Sequence, residues 1–342
     1  MKILITGGAG FIGHHLAAAL TADEGHAVTA LDSLLAQVHD DPSADRDRFP
    51  GPVVQGDVAD AAVWQELAPH DAIVHLAAET GTGQSMYEQD RYRRVNVEGT
   101  RLAGEAARRW GVPLVALSSR AVYGEGQRDD AGAPRASRED DPLAPVSFYG
   151  TTKVEAEASV ADVAREVPVT LLRPQNVVGH GQALRNPYTG VLAAFLARLR
   201  EGRPVQIYGD GHETRDFVHV SDVVRVIVWA LGRPSVQSAD DSPLVLNVGT
   251  GTRTSLVDLA RHAIAAAPTG GTLEHVDVHR AGDIEHACAD LTQLRAVGAP
   301  VPTLSSGEAI ADFIVRSWAQ PGADSSIWDD ALTELRTRGL AR

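Results

Sequence analysis

The sequence predicts an α/β fold built on a doubly wound parallel sheet, with a smaller lobe at the C-terminal end. From residue 1 to about residue 175, short apolar runs alternate with amphipathic stretches of helical period, a pattern typical of parallel sheets covered by helices on both faces. At the N-terminus an apolar run leads directly into a glycine-rich turn and then into a helix-like stretch. With 342 residues the chain is long enough for a large core divided between two lobes.

Glycines at positions 7, 8, 10 and 13 follow the first predicted strand, Lys2–Thr6. They satisfy the G-x-G-x-x-G pattern of dinucleotide-binding turns in Rossmann folds. One glycine permits the tight turn, one lets the backbone approach a pyrophosphate, and one lets the new helix pack on the strand. The phosphates would then lie at the helix N-terminus. The cofactor-binding residues predicted in this turn are Gly7, Gly10, Phe11, Ile12 and Gly13.

The second predicted strand, residues 26–31, is followed by Asp32. This aspartate comes about 20 residues after the glycine turn, where a carboxylate binds the ribose hydroxyls of adenosine. It would repel the additional phosphate of NADP, and Ser33 and Leu34 include no arginine to accept one. We therefore predict NAD as the cofactor. The alternative is an ordinary glycine turn, with Asp32 as a cap at the end of the strand.

Composition argues against several classes of partner. The net charge of −14 and the pI near 5.3 argue against nucleic-acid binding. No apolar run reaches the roughly 18 residues of a membrane span, and the predicted strand at the N-terminus leaves no room for a signal peptide. The single cysteine, Cys288, excludes an internal disulfide and a cysteine-based zinc site. We expect a cytoplasmic protein without a metal, nucleic-acid or membrane partner.

Further strands are predicted at residues 53–55, 72–76, 114–117 and 169–172. The polar, proline-containing stretches 37–51 and 232–242 predict surface loops. Asp57, after the third strand, could accept a hydrogen bond from the adenine amine or cap the next helix. The small residues that follow the fourth strand lie at the carboxyl edge, where open α/β sheets bind ligands. Asn96, on a helix predicted at 91–110, could bind the cofactor or satisfy backbone groups in the core.

Two serines and a Tyr-x-x-x-Lys pattern carry the predicted chemistry. Ser118 and Ser119 end the fifth strand, and Tyr149 and Lys153 lie on one face of a following helix. An ammonium near a phenol lowers its pKa from about 10, so the tyrosine can exchange a proton with a hydroxyl or a ketone. We expect Ser119, Tyr149 and Lys153 to be catalytic, with Ser119 bound to the same oxygen. Whether Ser118 shares this function is left open.

These motifs resemble the extended short-chain dehydrogenase/reductase family, in its nucleotide-sugar epimerase and dehydratase branch. The resemblance is carried by residues 6–13, 32, 118–119, 121–124 and 149–153, and it extends to the C-terminus. It implies a Rossmann domain over 1–175 with bound NAD, to which later segments at about 210–250 return. The lobe over 176–342 would hold a nucleoside-diphosphate sugar. The cofactor-binding residues implied beyond the glycine turn are Asp32, Asp57, Val58, Leu76, Ala77, Ala78, Asn96 and Lys153.

The resemblance also implies a substrate site and an oligomeric state. Asn176 and Arg215 would bind the substrate diphosphate, for which the guanidinium fork is well suited. Glu285 departs from the family, because relatives often have arginine there. Relatives form homodimers through two helices, here 91–110 and 151–166, whose small residues could equally pack on their own sheet. The substrate-binding residues implied are Thr80, Gln84, Ser118, Asn176, Asn186, Arg215, Arg280 and Asp283.

Three reactions are known on this scaffold. Sugar 4,6-dehydratases carry an Asp-Glu pair directly after the serine, where this chain has Arg120 and Ala121. Epimerases oxidise C4 and return the hydride to the other face, so they retain NAD, whereas ketoreductases and dehydrogenases exchange NAD or NADP. The motifs do not separate the last two classes. A cofactor-binding regulator without activity is a further alternative, against which the intact Ser119, Tyr149 and Lys153 argue.

A finer resemblance favours epimerisation of a deoxysugar. Residues 77–87, 118–126 and 186–190 resemble the bacterial group of dTDP-L-rhamnose 4-epimerases and related deoxysugar enzymes. This implies a thymidine-linked 6-deoxyhexose that is inverted at C4, with Thr80 and Gln84 near the hexose and Asn186 near the diphosphate. We therefore expect a NAD-dependent 4-epimerase of such a sugar. The main alternative is a reductase or dehydrogenase of a nucleotide 4-keto-sugar.

Overall fold

The computed structural model describes residues 1–23, 25–39, 41–186, 190–232, 242–278 and 283–341. The strands in this part of the chain are β1 (Lys2–Thr6), β2 (Ala27–Asp32), β3 (Val53–Gln55), β4 (Ala72–His75), β5 (Leu114–Leu117), β6 (Val169–Pro174), β7 (Asn176–Val178), β8 (Val205–Tyr208), β9 (Thr214–Arg215), β10 (Phe217–His219), β11 (Leu244–Val248), β12 (Thr254–Ser255) and β13 (Leu273–Val276).

The described helices are α1 (Phe11–Asp23), α2 (Pro42–Arg48), α3 (Ala61–Glu66), α4 (Thr82–Ser85), α5 (Gln89–Arg93), α6 (Gly99–Trp110), α7 (Phe148–Ser159), α8 (Val191–Arg200), α9 (Val220–Leu231), α10 (Leu256–Ala266), α11 (Thr292–Ala296), α12 (Ser306–Ser317) and α13 (Ser326–Thr337). Among them, none is both long enough and apolar enough to cross a bilayer.

A seven-stranded parallel sheet forms the centre of the protein, in the order β11-β6-β5-β4-β1-β2-β3. The predicted doubly wound α/β fold is therefore confirmed. The chain builds the sheet outward from β1 in one direction and then from β4 in the other, so the strand order reverses between these two neighbours. Such a switch point is where open α/β sheets bind ligands at their carboxyl edge.

Side chains alternate between the two faces of the sheet and form two cores. Ile3 and Ile5 of β1 belong to a core with α1 and α9, whereas Leu4 belongs to a core with α6. A third core lies between α8, α10 and α12. Strand β11 pairs with β6 at the edge of the central sheet, and α9 packs on α1. Segments from the second half of the chain therefore complete the sheet and the helices that cover it. The predicted domain boundary at residue 175 stays a prediction.

Part of the predicted loop 37–51 is helical. Asp41 caps α2, because its carboxylate accepts hydrogen bonds from Ser43 N at 3.1 Å and Ala44 N at 3.0 Å. Pro42 occupies the first turn, where its missing N–H costs nothing. The Asp-Pro pair was the signal for this helix. The other predicted loop, 232–242, lies almost entirely outside the described residues.

The two long helices predicted for a dimer interface have other bounds in the structure than those predicted. The first is a continuous run of α5, a π-helical turn over Arg94–Glu98, and α6. The second, α7, begins at Phe148 because Ser147 caps it through Gly150 N at 3.1 Å, and it ends at Ser159. Val160, just beyond it, packs on Gly104 of α6 within the same chain. The homodimer stays a prediction.

Candidate active site

The glycine turn lies at the switch point of the sheet. Gly7 has a φ of +65°, and a Cβ there would lie 2.9 Å from Ala77 N, so the loops after β1 and β4 touch. A Cβ at Gly13 would overlap the carbonyl oxygen of Gly8, so α1 begins directly on the turn. At Gly10 a Cβ would approach only Gly7 O within the described structure. This leaves an open backbone cradle at the N-terminus of α1, beside Phe11 and Ile12, which fits a dinucleotide pyrophosphate.

Asp32 is held at the carboxyl end of β2, where only 6% of it is exposed. Its carboxylate accepts hydrogen bonds from Ala9 N at 3.0 Å and Leu34 N at 2.9 Å. His39 lies 3.4 Å from it and 2.8 Å from Asp45. Burial lowers the pKa of His39, but the bonds to both carboxylates outweigh burial and raise it. Asp32 is thus fixed next to the glycine turn, as adenosine ribose binding requires.

The remaining adenosine-side candidates have structural contacts of their own. Asp57 accepts a hydrogen bond from Ala59 N at 2.8 Å and pairs with Arg94 at 2.6 Å. It does not cap α3, since the cap is Asp60. Val58 is buried against Gly99.

Asn96 lies in the π-helical turn and is fully buried. Its amide donates to Glu79 O at 3.1 Å and to the Thr152 hydroxyl at 3.0 Å, and its oxygen accepts from Glu79 N at 2.8 Å. These bonds tie the segment after β4, which includes Leu76, Ala77 and Ala78, to α7. They favour the interpretation of Asn96 as a core asparagine that positions this segment.

Ser119, Tyr149 and Lys153 come together at the carboxyl end of β5. Ser119 caps a 3-10 turn over Arg120–Tyr123 and accepts from Ala121 N at 3.2 Å. The Lys153 ammonium donates to Leu117 O at 3.0 Å and lies 6.0 Å from the centre of the Tyr149 ring. A Cβ at Gly150 would lie 2.6 Å from Ala121 O. The 3-10 turn therefore packs directly on the first turn of α7.

The electrostatics of the phenol involve Arg120 as well as Ser119. Burial raises the pKa of Tyr149, and the Ser119 hydrogen bond and the Arg120 charge lower it in part. Burial also lowers the pKa of Lys153 to about 8. Arg120 is thus a cation that lowers the phenol pKa and that was not predicted from the sequence, and the effect of Lys153 on this phenol stays a prediction. Arg120 donates to Gly124 O at 2.9 Å and forms no ion pair with the described residues.

Ser118 directly follows β5 and has a different environment from Ser119. Its hydroxyl is buried and has no hydrogen-bond partner within the described part of the chain. An orphaned hydroxyl at the carboxyl edge of the sheet is suited to a polar group of a bound molecule. The open cradle, the fixed Asp32 and this hydroxyl together fit a nicotinamide dinucleotide.

A cavity of about 410 Å³ opens beside the residues that flank Ser119 and Tyr149, a size typical of small-ligand sites. Arg120, Ala121 and Ser147, which flank Ser119 and Tyr149 in sequence, line one side. The predicted substrate residues Asn176, Arg215 and Asp283 line it as well, together with Glu285. The Arg215 guanidinium donates to Thr214 O at 2.9 Å and to Glu285 O at 3.3 Å. The structure thus brings three of the predicted substrate residues to one cavity.

Other substrate candidates lie elsewhere. Thr80 is exposed, and its carbonyl accepts from the Tyr92 hydroxyl. Gln84 and Asn186 are buried and both contact the amide of Gln37, at 2.9 and 3.4 Å. Of the described residues that line the cavity, none is Thr80, Gln84 or Asn186. Arg280 lies outside the described residues.

Several wall residues were not predicted from the sequence. Thr82, rather than Thr80, contributes to the wall after β4, and Tyr208, Glu213 and Trp328 come from the second half of the chain. One carboxylate oxygen of Glu213 is buried without a partner among the described residues. Within the same residues, no cluster of His, Cys, Asp and Glu is arranged to hold a metal ion.

Comparisons with known proteins agree with this geometry. The model of the NAD dependent epimerase/dehydratase family matches residues 3–249. A dTDP-L-rhamnose 4-epimerase of Burkholderia thailandensis is 38% identical over 331 residues, which cover 85% of this chain and 88% of that protein. A dTDP-glucose 4,6-dehydratase of Streptomyces griseus is 30% identical and covers 93% and 96%.

A solved structure is similar over nearly the whole chain. The UDP-glucose 4-epimerase of Thermus thermophilus, in complex with NAD, has a TM-score of 0.79, 29% identity, and coverage of 94% of this chain and 100% of that one. The protein therefore belongs to the NAD-dependent epimerase/dehydratase family of extended short-chain dehydrogenases/reductases, enzymes that use NAD and act on nucleotide sugars.

Proposed function

We propose that this protein is a nucleotide-sugar 4-epimerase, acting on a dTDP-linked 6-deoxyhexose such as dTDP-L-rhamnose. The observation that carries the proposal is the grouping of Ser119, Tyr149 and Lys153 next to Arg120, Ala121 and Ser147, which line one cavity with Asn176 and Arg215. An acid/base group adjoining a cavity whose wall carries the Arg215 guanidinium suits a nucleotide sugar. The similarity to the Burkholderia enzyme supports the choice of sugar and nucleotide.

The wall of the cavity argues against a 4,6-dehydratase. Such an enzyme needs an acid and a base to eliminate water across C5 and C6. At the positions where dehydratases carry these groups, the chain has Arg120 and Ala121, and both line the cavity. The described carboxylates in the cavity wall are Glu213, two residues before Arg215, and Asp283 and Glu285 from a later segment whose Glu285 O accepts from Arg215. Epimerisation needs no such pair.

In this mechanism Tyr149 carries the proton. Its phenolate accepts the proton of the C4 hydroxyl and later returns it to the C4 oxygen. Ser119 donates a hydrogen bond to that oxygen, and Lys153 holds the nicotinamide ribose. The chemistry supplied by bound NAD is reversible hydride exchange at C4. Asn176 and Arg215 hold the diphosphate while the 4-keto sugar turns, so that the opposite face of C4 receives the returning hydride. The apolar wall around Val146 and Val191 suits a C6 methyl group.

The protein purified without added cofactor tests this proposal. We expect that denaturation releases nicotinamide dinucleotide, and that the native protein with dTDP-L-rhamnose alone forms the C4-inverted sugar with no net NADH. NMR of the sugar and absorbance at the NADH wavelength measure the two outcomes. An empty protein that acts only with stoichiometric NAD(H) or NADP(H) would support the ketoreductase or dehydrogenase instead.

Arg120 offers a test of the phenol's electrostatics. In Arg120→Met the charge that lowers the pKa of Tyr149 is lost, so that pKa rises and less phenolate is present at neutral pH. We expect the rising limb of the kcat profile to move to higher pH, with kcat about tenfold lower at pH 7. Arg120→Lys keeps the charge and should recover most of the loss. A profile that falls equally at every pH would contradict this electrostatic function.

We also propose a cytoplasmic homodimer, on sequence grounds. Cys288 is buried and burial raises its thiol pKa to about 12, so it is an unreactive thiol. Ala158 and Ala161, at the end of α7 and just beyond it, are exposed and small enough for close helix contact. Light scattering of the purified protein measures its mass in solution.

A further inference from the structure

The C-terminal helix α13 is anchored at its first turn to the region that follows α8. Ser325, directly before α13, donates hydrogen bonds to Glu201 from its backbone N–H at 2.8 Å and its hydroxyl at 2.6 Å. Asp329 accepts from Arg198 at 3.1 Å and from Arg203 at 3.4 Å. Arg198 is buried, with 6% exposed. These bonds fix the start of α13 to the lobe that contains α8.

The other end of α13 contacts the segment that follows β4 in the sheet layer. The Leu335 side chain is buried and lies 3.4 Å from the position that a Cβ at Gly83 would take. The guanidinium of Arg338 lies 3.9 Å from the centre of the Tyr87 ring, within the range of a cation–π contact. The helix therefore connects α8 to the segment after β4.

Trp328 lies in the anchored first turn of α13, between Ser325 and Asp329, and lines the cavity. It lines the cavity together with Thr82 of α4 and with Val191 and Ala194 of α8. The α4 turn also holds the catalytic tyrosine, because the Ser85 hydroxyl accepts a hydrogen bond from Tyr149 N at 3.0 Å. The indole therefore shares a wall with Thr82, which belongs to the same short helix as the Ser85 that holds Tyr149. An aromatic ring there offers a flat apolar surface with one N–H donor.

We propose that α13 belongs to the substrate site and that Trp328 packs against the hexose of the nucleotide sugar, where it determines which sugar is accepted. The inference rests on the proposed function, since it places the hexose beside Tyr149. Val191 and Ala194 are apolar and line the cavity wall together with the indole. The part of a deoxyhexose that fits this apolar surface is its C–H face or its methyl group. Leu335 and Arg338 hold the helix in place and act through Trp328.

Binding measurements on Trp328→Ala separate the hexose from the nucleotide. Calorimetry with dTDP-L-rhamnose and with dTDP compares each variant with wild type. We expect affinity for the nucleotide sugar to fall about tenfold, equivalent to about 1.4 kcal/mol, while affinity for dTDP changes less than about twofold. Trp328→Phe should keep most of the sugar affinity. Arg336→Ala, an exposed position on the same helix, is the matched control and should change neither.

Two outcomes would overturn the proposal: an equal loss for both ligands, or no loss for either. Because Trp328 also packs on the third core, Trp328→Leu retains apolar volume in case the alanine variant unfolds. It should still lose sugar affinity selectively. The proposed function fails independently of this test if the wild-type protein binds dTDP-L-rhamnose but does not invert it at C4. If wild type does not bind this sugar, UDP-glucose and UDP form the comparison pair.

Discussion

Tyr149→Phe is expected to reduce kcat by about a thousandfold or more, while the protein still folds and retains its nicotinamide dinucleotide. The substitution removes only the hydroxyl that, in the proposed mechanism, accepts and returns the C4 proton, and general acid–base groups contribute about 10²- to 10⁴-fold to rates. The ring remains in its edge contact with Tyr92, at 6.5 Å between centroids. Packing of the α7 N-terminus should therefore persist, and the loss should appear in kcat rather than in stability.

Single-turnover assays with dTDP-L-rhamnose, together with dinucleotide content after denaturation, measure this prediction. Tyr123→Phe is the matched control, because Tyr123 is a buried tyrosine of the 3-10 turn that packs on α7, and its hydroxyl bonds Asn247 and Arg173, each at 2.8 Å. We expect that control to lose stability while retaining most of its activity. Full activity in Tyr149→Phe would require another proton carrier, and the Ser118 hydroxyl would be the first to examine.

The parts of the site that sequence could predict are those set by local backbone chemistry. The glycine turn follows from a strand that ends and a helix that begins within a few residues, Asp32 from the end of an apolar run, and the Tyr149–Lys153 pair from the helical period. The same local chemistry was present in Asp41 and Pro42, which cap α2 in what was predicted as a loop. A capping residue followed by proline predicts the start of a helix more strongly than a polar composition predicts a loop.

Contacts between distant segments could not be predicted in this way. His39 meets Asp32 only because the loop after β2 folds back on the strand end. Arg120 acts on Tyr149 because the missing side chain of Gly150 lets two segments pack closely. Trp328 enters the cavity from a helix almost 180 residues beyond Tyr149. Each of these contacts depends on tertiary packing, which leaves no periodic or turn signal in the chain.

Arg215→Ala is expected to weaken the binding of nucleotide sugar and of free nucleoside diphosphate alike, by about a hundredfold, with a smaller effect on kcat. Bidentate bonds from guanidinium to phosphate are among the stronger polar contacts, and losing a buried charge partner costs about 2–5 kcal/mol. Arg215 is rigidly placed, because β9 pairs with β12 and the guanidinium is held by Thr214 O and Glu285 O.

The two ligands distinguish Arg215 from Trp328, since the arginine should affect dTDP and dTDP-L-rhamnose equally and the tryptophan only the sugar. Arg215→Lys keeps the charge without the planar fork and should recover part of the affinity. Arg128→Ala removes an exposed arginine that pairs with Glu285 at 2.9 Å and should leave both affinities nearly unchanged. A loss of kcat at unchanged affinity would instead place Arg215 near the reacting carbon. The diphosphate would then have to be bound by other groups in this cavity, of which Asn176 and Arg120 already line the wall.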